Sequence, residues 1–400
     1  MKFSAIAGVL VVVVGCAGAQ PQTRAASGPA EARASAPAAA APTPPPAPAA
    51  PLAPPAAGVA AAPSASPAAP PPLPPPRPTT LSLAHTGIAT ADAELSAGDA
   101  AFGKGDFVEA AKRYAAARSL APKSVAPAVG ASRVRVAKTV APLDFGAAQG
   151  NGEIKAAVRE LERAVAQDGA MGAAWSELGA AMLMLGDAEA SKRALRRAVE
   201  LLPGEPEAHS MLGVALFATG DRDGAAGALQ KAADLDPGRA ERHGNLGTVY
   251  LSMGRVSEAL REYELQAIIA GSDARAHADL GAALLAANDV PRATAELLRA
   301  TDLDPSRASY HSNLGYAYQR AGALPLAIAA YRKALSLDDK LSGAWINLAT
   351  ALARDPRSRG EARAALGRAL ALDATDPNAK ANLEELDALE RDPLRTSPRP

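Results

Sequence analysis

Residues 243–247 read His243-Gly244-Asn245-Leu246-Gly247, and residues 311–315 read His311-Ser312-Asn313-Leu314-Gly315. The Leu-Gly pair that closes both stretches recurs at Leu178-Gly179, Leu212-Gly213, Leu246-Gly247, Leu280-Gly281 and Leu314-Gly315, each 34 residues from the one before. A fixed period between about 20 and 50 residues marks a stacked-repeat architecture.

Other positions keep the same beat. Trp175, His209, His243, His277 and His311 stand three residues before each Leu. Ser191, Ala225, Ala259, Ala293 and Ala327 follow twelve residues after each Gly. Leu195, Leu229, Tyr263, Leu297 and Tyr331 come four residues later, and then Ala198, Ala232, Ala300 and Ala334 supply a second small residue. Small residues at recurrent facing positions let two antiparallel helices approach closely, while Leu and aromatics fill the space between them. Gly186-Asp187, Gly220-Asp221 and Asn288-Asp289 end a first helix and cap a second. Pro203, Pro237 and Pro305 stop the second helix and set the unit boundary.

Trp175-x-x-Leu178-Gly179, with Tyr250 and Tyr318 three residues after their glycines and Ala259-x-x-x-Tyr263 downstream, resembles the tetratricopeptide repeat, a helix–turn–helix unit of 34 residues. Each unit exposes an apolar stripe that only stacking can bury. The pattern extends backward through Gly98, Phe107, Ala110, Tyr114 and Ala117, and through Ala157, Leu161 and Ala164 after a break. Forward it continues through Trp345, Leu348, Ala362, Leu366 and Ala369, with one residue inserted. Ala379 to Leu389, with Glu384, Glu385 and Asp387 on one side, suits a capping helix. The expected fold is an all-α solenoid of about eight units plus a cap over 88–390. It carries an insertion near 138–152 (Phe145 within it) and a disordered tail at 391–400.

Composition agrees. Apolar residues make up 48% of the 400 and aromatics only 4%, which suits alanine-rich helix packing. Lys+Arg and Asp+Glu both number 42, and no basic block with stacking aromatics argues for nucleic acid.

At the N-terminus, Lys2 precedes the apolar run Ala5 to Val14, too short for a permanent bilayer span. Val13-Val14-Gly15-Cys16 resembles the bacterial lipoprotein lipobox. That resemblance implies a signal peptide at 1–15 and lipidation of Cys16; an ordinary signal peptide cut near Ala17-Gly18-Ala19 is the alternative. In that family the residues after the cysteine influence membrane sorting, and Ala17-Gly18 implies the outer membrane, facing the periplasm. Cys16 is the sole cysteine, so no internal disulfide forms. Residues 16–87 read as a lipid-anchored linker: 20 of the 34 prolines lie between Gln20 and Thr80. Such composition favours extended polyproline II, either as a passive spacer or as a reach across the wall layer.

The recurring histidines read as packing between helices, since zinc needs nitrogens within about 2.1 Å of one centre and no His-x-x-x-His or Cys cluster is present. A stronger candidate is the column before the Leu: Glu177, Met211, Asn245, Asp279, Asn313 and Asn347, with Asn382 in the cap. Asn-Leu-Gly units resemble those of the tetratricopeptide domain of O-linked N-acetylglucosamine transferases, whose asparagines form a ladder along the groove. A primary amide donates and accepts, so a row of them can grip an extended backbone; an amide merely tolerated there is the alternative. Thr248, Arg275, Ser312, Tyr316, Gln319, Arg320, Ile346 and Thr350 join the expected inner face. Ala180, Leu183, Met184, Val214 and Phe217 make its N-terminal part apolar. No nucleophile motif or phosphate loop is present, so the expectation is a non-catalytic protein without cofactor, metal or small-molecule substrate. The combination resembles pilotin-type tetratricopeptide lipoproteins and implies a scaffold that takes a protein segment in its groove during envelope assembly. A factor recruiting or activating cell-wall enzymes is the second reading.

Overall fold

The computed structural model describes residues 74, 80–139, 148 and 150–391. The signal peptide, Cys16, nearly all of the linker before Thr80, Phe145 in the insertion and residues 392–400 lie outside the described residues. Among the described residues there are seventeen α-helices and no strand.

They pair in sequence order. Unit one joins α1 (Ala89–Gly103) to α2 (Phe107–Leu120), and unit two joins α3 (Ala126–Thr139) to α4 (Gly152–Gln167). Units three and four are α5 (Gly172–Met184) with α6 (Ala188–Leu201), and α7 (Pro206–Ala218) with α8 (Arg222–Leu235). Units five and six are α9 (Ala240–Ser252) with α10 (Val256–Ile269), and α11 (Ala274–Ala286) with α12 (Val290–Leu303). Units seven and eight are α13 (Ala308–Arg320) with α14 (Leu324–Leu337), and α15 (Ser342–Leu352) with α16 (Arg359–Leu372). The capping helix α17 (Pro377–Arg391) follows.

Local chemistry explains each boundary. Asp187 and Asp221 accept the backbone N–H of Ala190 and Gly224, both at 2.9 Å, and so cap α6 and α8. Gly186, Gly220 and Asn288 take the left-handed conformation (φ 83°, 84° and 64°) that turns the chain out of the first helix. The extra residue of unit eight sits in the turn, where α15 is cut to 11 residues and a 3₁₀ turn at Pro356–Ser358 replaces the usual connection.

The core is built from the recurring small residues. Ala225, Ala259, Ala293 and Ala327 are fully buried, as are Leu229, Leu297 and Tyr331. At Gly213 a methyl group would fall 2.5 Å from Leu229 Cγ, so this crossing tolerates no side chain.

Each second helix packs on the first helix of the following unit, and each first helix from α1 to α15 also touches the next first helix (α17 standing last in that row). Successive second helices make no comparable contact. The first helices therefore line the shorter, inner side of the curve.

The described chain begins to pack earlier than residue 88. Residues 80–86 form an irregular strap along α1, with Leu81 and Leu83 buried in the same core as Leu95 and Tyr114. Leu81 and Leu83, which fall within the stretch read as linker, thus find an apolar surface on the repeats that a Pro/Ala-rich composition does not reveal.

Candidate partner-binding face

Six rings hold the turns that position the inner helices. The indole N–H groups of Trp175 and Trp345 donate to the carbonyls of Gly169 (3.1 Å) and Asp339 (2.8 Å), each six residues upstream. His209, His243, His277 and His311 reach Pro203, Pro237, Gly271 and Pro305 in the same way through Nε2, at 2.9–3.1 Å. The expected packing role becomes a specific one: each ring satisfies a carbonyl of the turn between units. His243 and His277 also bring Nδ1 to Glu262 (2.8 Å) and Glu296 (2.7 Å). Burial opposes a charge on His243, but the Glu262 carboxylate and the Pro237 carbonyl outweigh it and raise its pKa. No group of three or more His, Cys, Asp or Glu able to hold a metal occurs among the described residues.

The expected inner-face residues divide in two. Asn245, Ser312, Asn313 and Asn347 are half-buried on α9, α13 and α15, and their side chains make no hydrogen bond with any described residue. The others are engaged within the protein. Thr248 is 3% exposed and shares a 2.9 Å hydrogen bond with the Tyr263 hydroxyl. Gln319 accepts from the Tyr331 hydroxyl at 3.0 Å. Thr350 donates to the Ile346 carbonyl at 2.9 Å and accepts from Asn382 at 3.1 Å, which removes Asn382 from any ladder. Ile346 is itself buried. Arg320 donates to Tyr316 (3.3 Å) and to Asn288 (2.6 Å) in the turn of the preceding unit.

Asp279 departs furthest from the expectation of an accessible groove residue. It is 7% exposed, with Arg275 Nε at 3.5 Å and Gln266 Nε2 at 3.4 Å. Burial pushes its carboxyl up to about 6. Gln266 stands where units three, four, six and seven carry alanine, and it fits because residue 244 is glycine: a methyl there would fall 2.7 Å from Gln266 Nε2.

A rule that the sequence holds, and that repeat spacing alone did not expose, explains which inner positions are taken. Where the second helix carries tyrosine, its hydroxyl passes beneath the first helix and finds a polar side chain: Tyr114 with Asp99, Tyr263 with Thr248, Tyr331 with Gln319. Where it carries Leu195, Leu229 or Leu297, the residue after the recurring glycine is Ala180, Val214 or Ala282. In the apolar half, Leu183 is buried while Ala180, Met184, Val214 and Phe217 remain partly exposed. Glu177, at the head of the ladder column, is bound by Arg133 Nε at 2.7 Å.

Comparison with known proteins agrees with this architecture. A tetratricopeptide-repeat family model matches residues 147–206, 183–240 and 278–342, and a second matches 216–277. The chain thus carries tetratricopeptide repeats. Among solved structures, it resembles one in the APC/C hetero-tetramer Cut9-Hcn1 (TM-score 0.55, 17% identity), over 75% of this chain and 56% of that one. The present chain therefore spans little more than half of its counterpart, and the likeness is one of fold. MamA from Desulfovibrio magneticus RS-1, residues 41 to the end, is 26% identical over 42% of this chain and 95% of its own (TM-score 0.40). YrrB, described as a tetratricopeptide protein with an unusual peptide-binding site, is 19% identical over 48% of this chain and 99% of its own (TM-score 0.39). A search of curated proteins returns no significant match.

Proposed function

We propose that this chain is a non-catalytic scaffold that holds an extended protein segment along the inner face of its C-terminal half, tethered to a bacterial membrane through Cys16. Tetratricopeptide repeats are in general protein-interaction surfaces. One observation carries the reading here: Asn245, Asn313 and Asn347 occupy one register on α9, α13 and α15, half-buried, with amides that no described residue satisfies, while α11 between them carries the buried Asp279 at that register. Leaving such a group partly desolvated and unpaired forgoes about 1 kcal/mol of hydrogen bonding, which an extended backbone would restore. Ser312, Tyr316 and Arg320 flank the row and supply polar and aromatic contact area. The lipobox at Cys16 and the proline-rich linker favour an outer-membrane lipoprotein that supports assembly of an envelope complex.

A photo-crosslinking residue at Asn313 tests the groove against one at Lys333 on the outer helix α14. A defined product from 313, absent from 333 and lost in the Asn245/Asn347→Ala background with helicity intact, is expected. Equal labelling from both faces would remove the basis of the proposal. Separately, Cys16→Ser should transfer the protein from the membrane fraction to the soluble one; unchanged sedimentation would defeat the anchor.

A further inference from the structure

The inner surface of the first two units already holds a peptide. Residues 81–83 lie against α1 and α3 outside any regular element, with Leu81 and Leu83 buried and Ser82 between them exposed, the alternating burial of a strand, before the chain turns at Leu83, whose carbonyl accepts from the His85 N–H at 2.9 Å. Side chains grip its backbone. Leu83 donates its N–H to Asp99 Oδ2 at 2.8 Å, and the Leu81 carbonyl accepts from Arg133 Nη2 at 2.9 Å.

These grips belong to a site rather than to the segment. Arg133 is 3% exposed and also donates to Asp99 (2.8 Å) and Glu177 (2.7 Å), with its guanidinium 5.5 Å from the Phe102 ring centroid. Asp99 accepts from Tyr114 at 2.8 Å as well. A buried guanidinium and a buried carboxylate are thus fixed by α1, α2, α3 and α5, each with one bonding direction turned toward a passing main chain. A main chain carries the required carbonyl and N–H whatever its sequence, while the two apolar pockets read the residues at alternate positions. Among the described residues, the segment's other hydrogen bonds to the repeats lie at its far end, where Thr86 donates to Asp92 through its N–H and its hydroxyl, both at 2.7 Å. Gly87 follows with φ 74° and nothing within 4 Å of where a side chain would stand, so the strap joins α1 through an open glycine turn.

We propose that the inner surface of units one and two is a second peptide-binding site, filled in cis by residues 80–86, and that it takes in trans an extended segment with aliphatic side chains at positions i and i+2. The strap and an incoming segment of this chemistry compete for the same two backbone grips. This site is distinct from the asparagine row of α9, α13 and α15, so loss of one does not entail loss of the other.

The probe is a fluorescein-labelled peptide of residues 80–88, titrated into the full chain carrying Leu83→Asp, which evicts the strap. Saturable binding at least tenfold tighter than to the wild-type chain is expected, and a peptide bearing the same Leu→Asp change should not bind. Equal affinity for wild-type and variant chains, or no binding by a variant of unchanged helicity, would overturn the proposal. If Leu83→Asp melts the first units, hydrogen exchange on the wild-type chain decides instead. Exchange of the Leu83 amide ahead of α1, in step with residues 81–86, supports a separable ligand. Exchange only together with α1 shows an integral strap and refutes it. The Asn245/Asn313/Asn347→Ala chain with Leu83→Asp added should still bind the peptide, which separates this outcome from the fate of the groove proposal.

Discussion

Gly213 and Gly227 lie in the same helical hairpin, on α7 and α8, and replacing each with alanine should shift stability in opposite directions. A methyl at Gly213 lands 2.5 Å from Leu229 Cγ, 2.9 Å from Cδ2 and 3.2 Å from the Ala225 carbonyl oxygen. Carbon atoms in good contact sit about 3.5–4.0 Å apart, so Leu229 must retreat by roughly 1 Å. It has nowhere to go, being fully buried in the core shared by units three to five. Overpacking of this kind costs about 1–3 kcal/mol. A methyl at Gly227 meets nothing within 4 Å. Both changes gain about 0.8–1 kcal/mol of helix propensity, which cancels when the two variants are compared. Gly227→Ala should therefore exceed Gly213→Ala in stability by about 1–3 kcal/mol, or roughly 0.5–1.5 M in urea midpoint at a slope near 2 kcal/mol/M. Because a solenoid can unfold in parts, helical ellipticity is followed alongside hydrogen exchange of α7. A midpoint for Gly213→Ala equal to or above that of Gly227→Ala would show that the helices do not approach as described.

Three further outcomes follow from the buried polar groups. His243 has a folded pKa raised above the unfolded value, so its contribution is complete below about pH 6.5 and fades as pH rises through the folded pKa. The urea-midpoint advantage of wild type over His243→Gln should accordingly be larger at pH 6 than at pH 9, and a constant gap would contradict the assigned Glu262 pairing. Asp279 titrates near 6, so the folded state holds its proton more tightly than the unfolded chain; stability from this group is full below about pH 4 and lost as pH rises through 6. Asp279→Asn should then stabilise the protein at pH 8 by on the order of 1–3 kcal/mol and not at pH 4; destabilisation at pH 8 would mean that the Arg275 contact outweighs burial. Arg242, 1% exposed, lies 3.2 Å from buried Asp236 and 3.5 Å from half-buried Glu207, and because Asp236 keeps Arg239 Nε at 3.1 Å, Arg242→Met should cost about 1.5–3 kcal/mol through its lost charged hydrogen bonds. A loss under 1 kcal/mol in chemical denaturation would show that water replaces the guanidinium.

Much of the architecture was legible because its causes are local. Asp187 caps a helix through an atom three residues away, and Pro237 halts one at the next residue. The 34-residue spacing of Leu-Gly and Ala-x-x-x-Leu/Tyr then sets which faces meet. The candidate site was only half legible. Spacing places Thr248 and Asp279 on inner helices, which is where they are, but it does not say that Tyr263 and Gln266 reach them from behind. The tyrosine positions could have raised the question, since a buried hydroxyl needs a partner.

The amino-acid sequence by itself determined the period and the number and phase of the helices, since these follow from contacts that every unit repeats. Tertiary structure alone decided which inner polar groups stay free and which are taken, and it alone placed Leu81 and Leu83 on α1 and α3. The reason is physical: apolar burial follows a pattern that neighbouring residues announce, whereas a hydrogen bond is satisfied by one particular atom. For Arg133 those atoms lie on Leu81, Asp99 and Glu177, up to 52 residues away and partly outside the repeat.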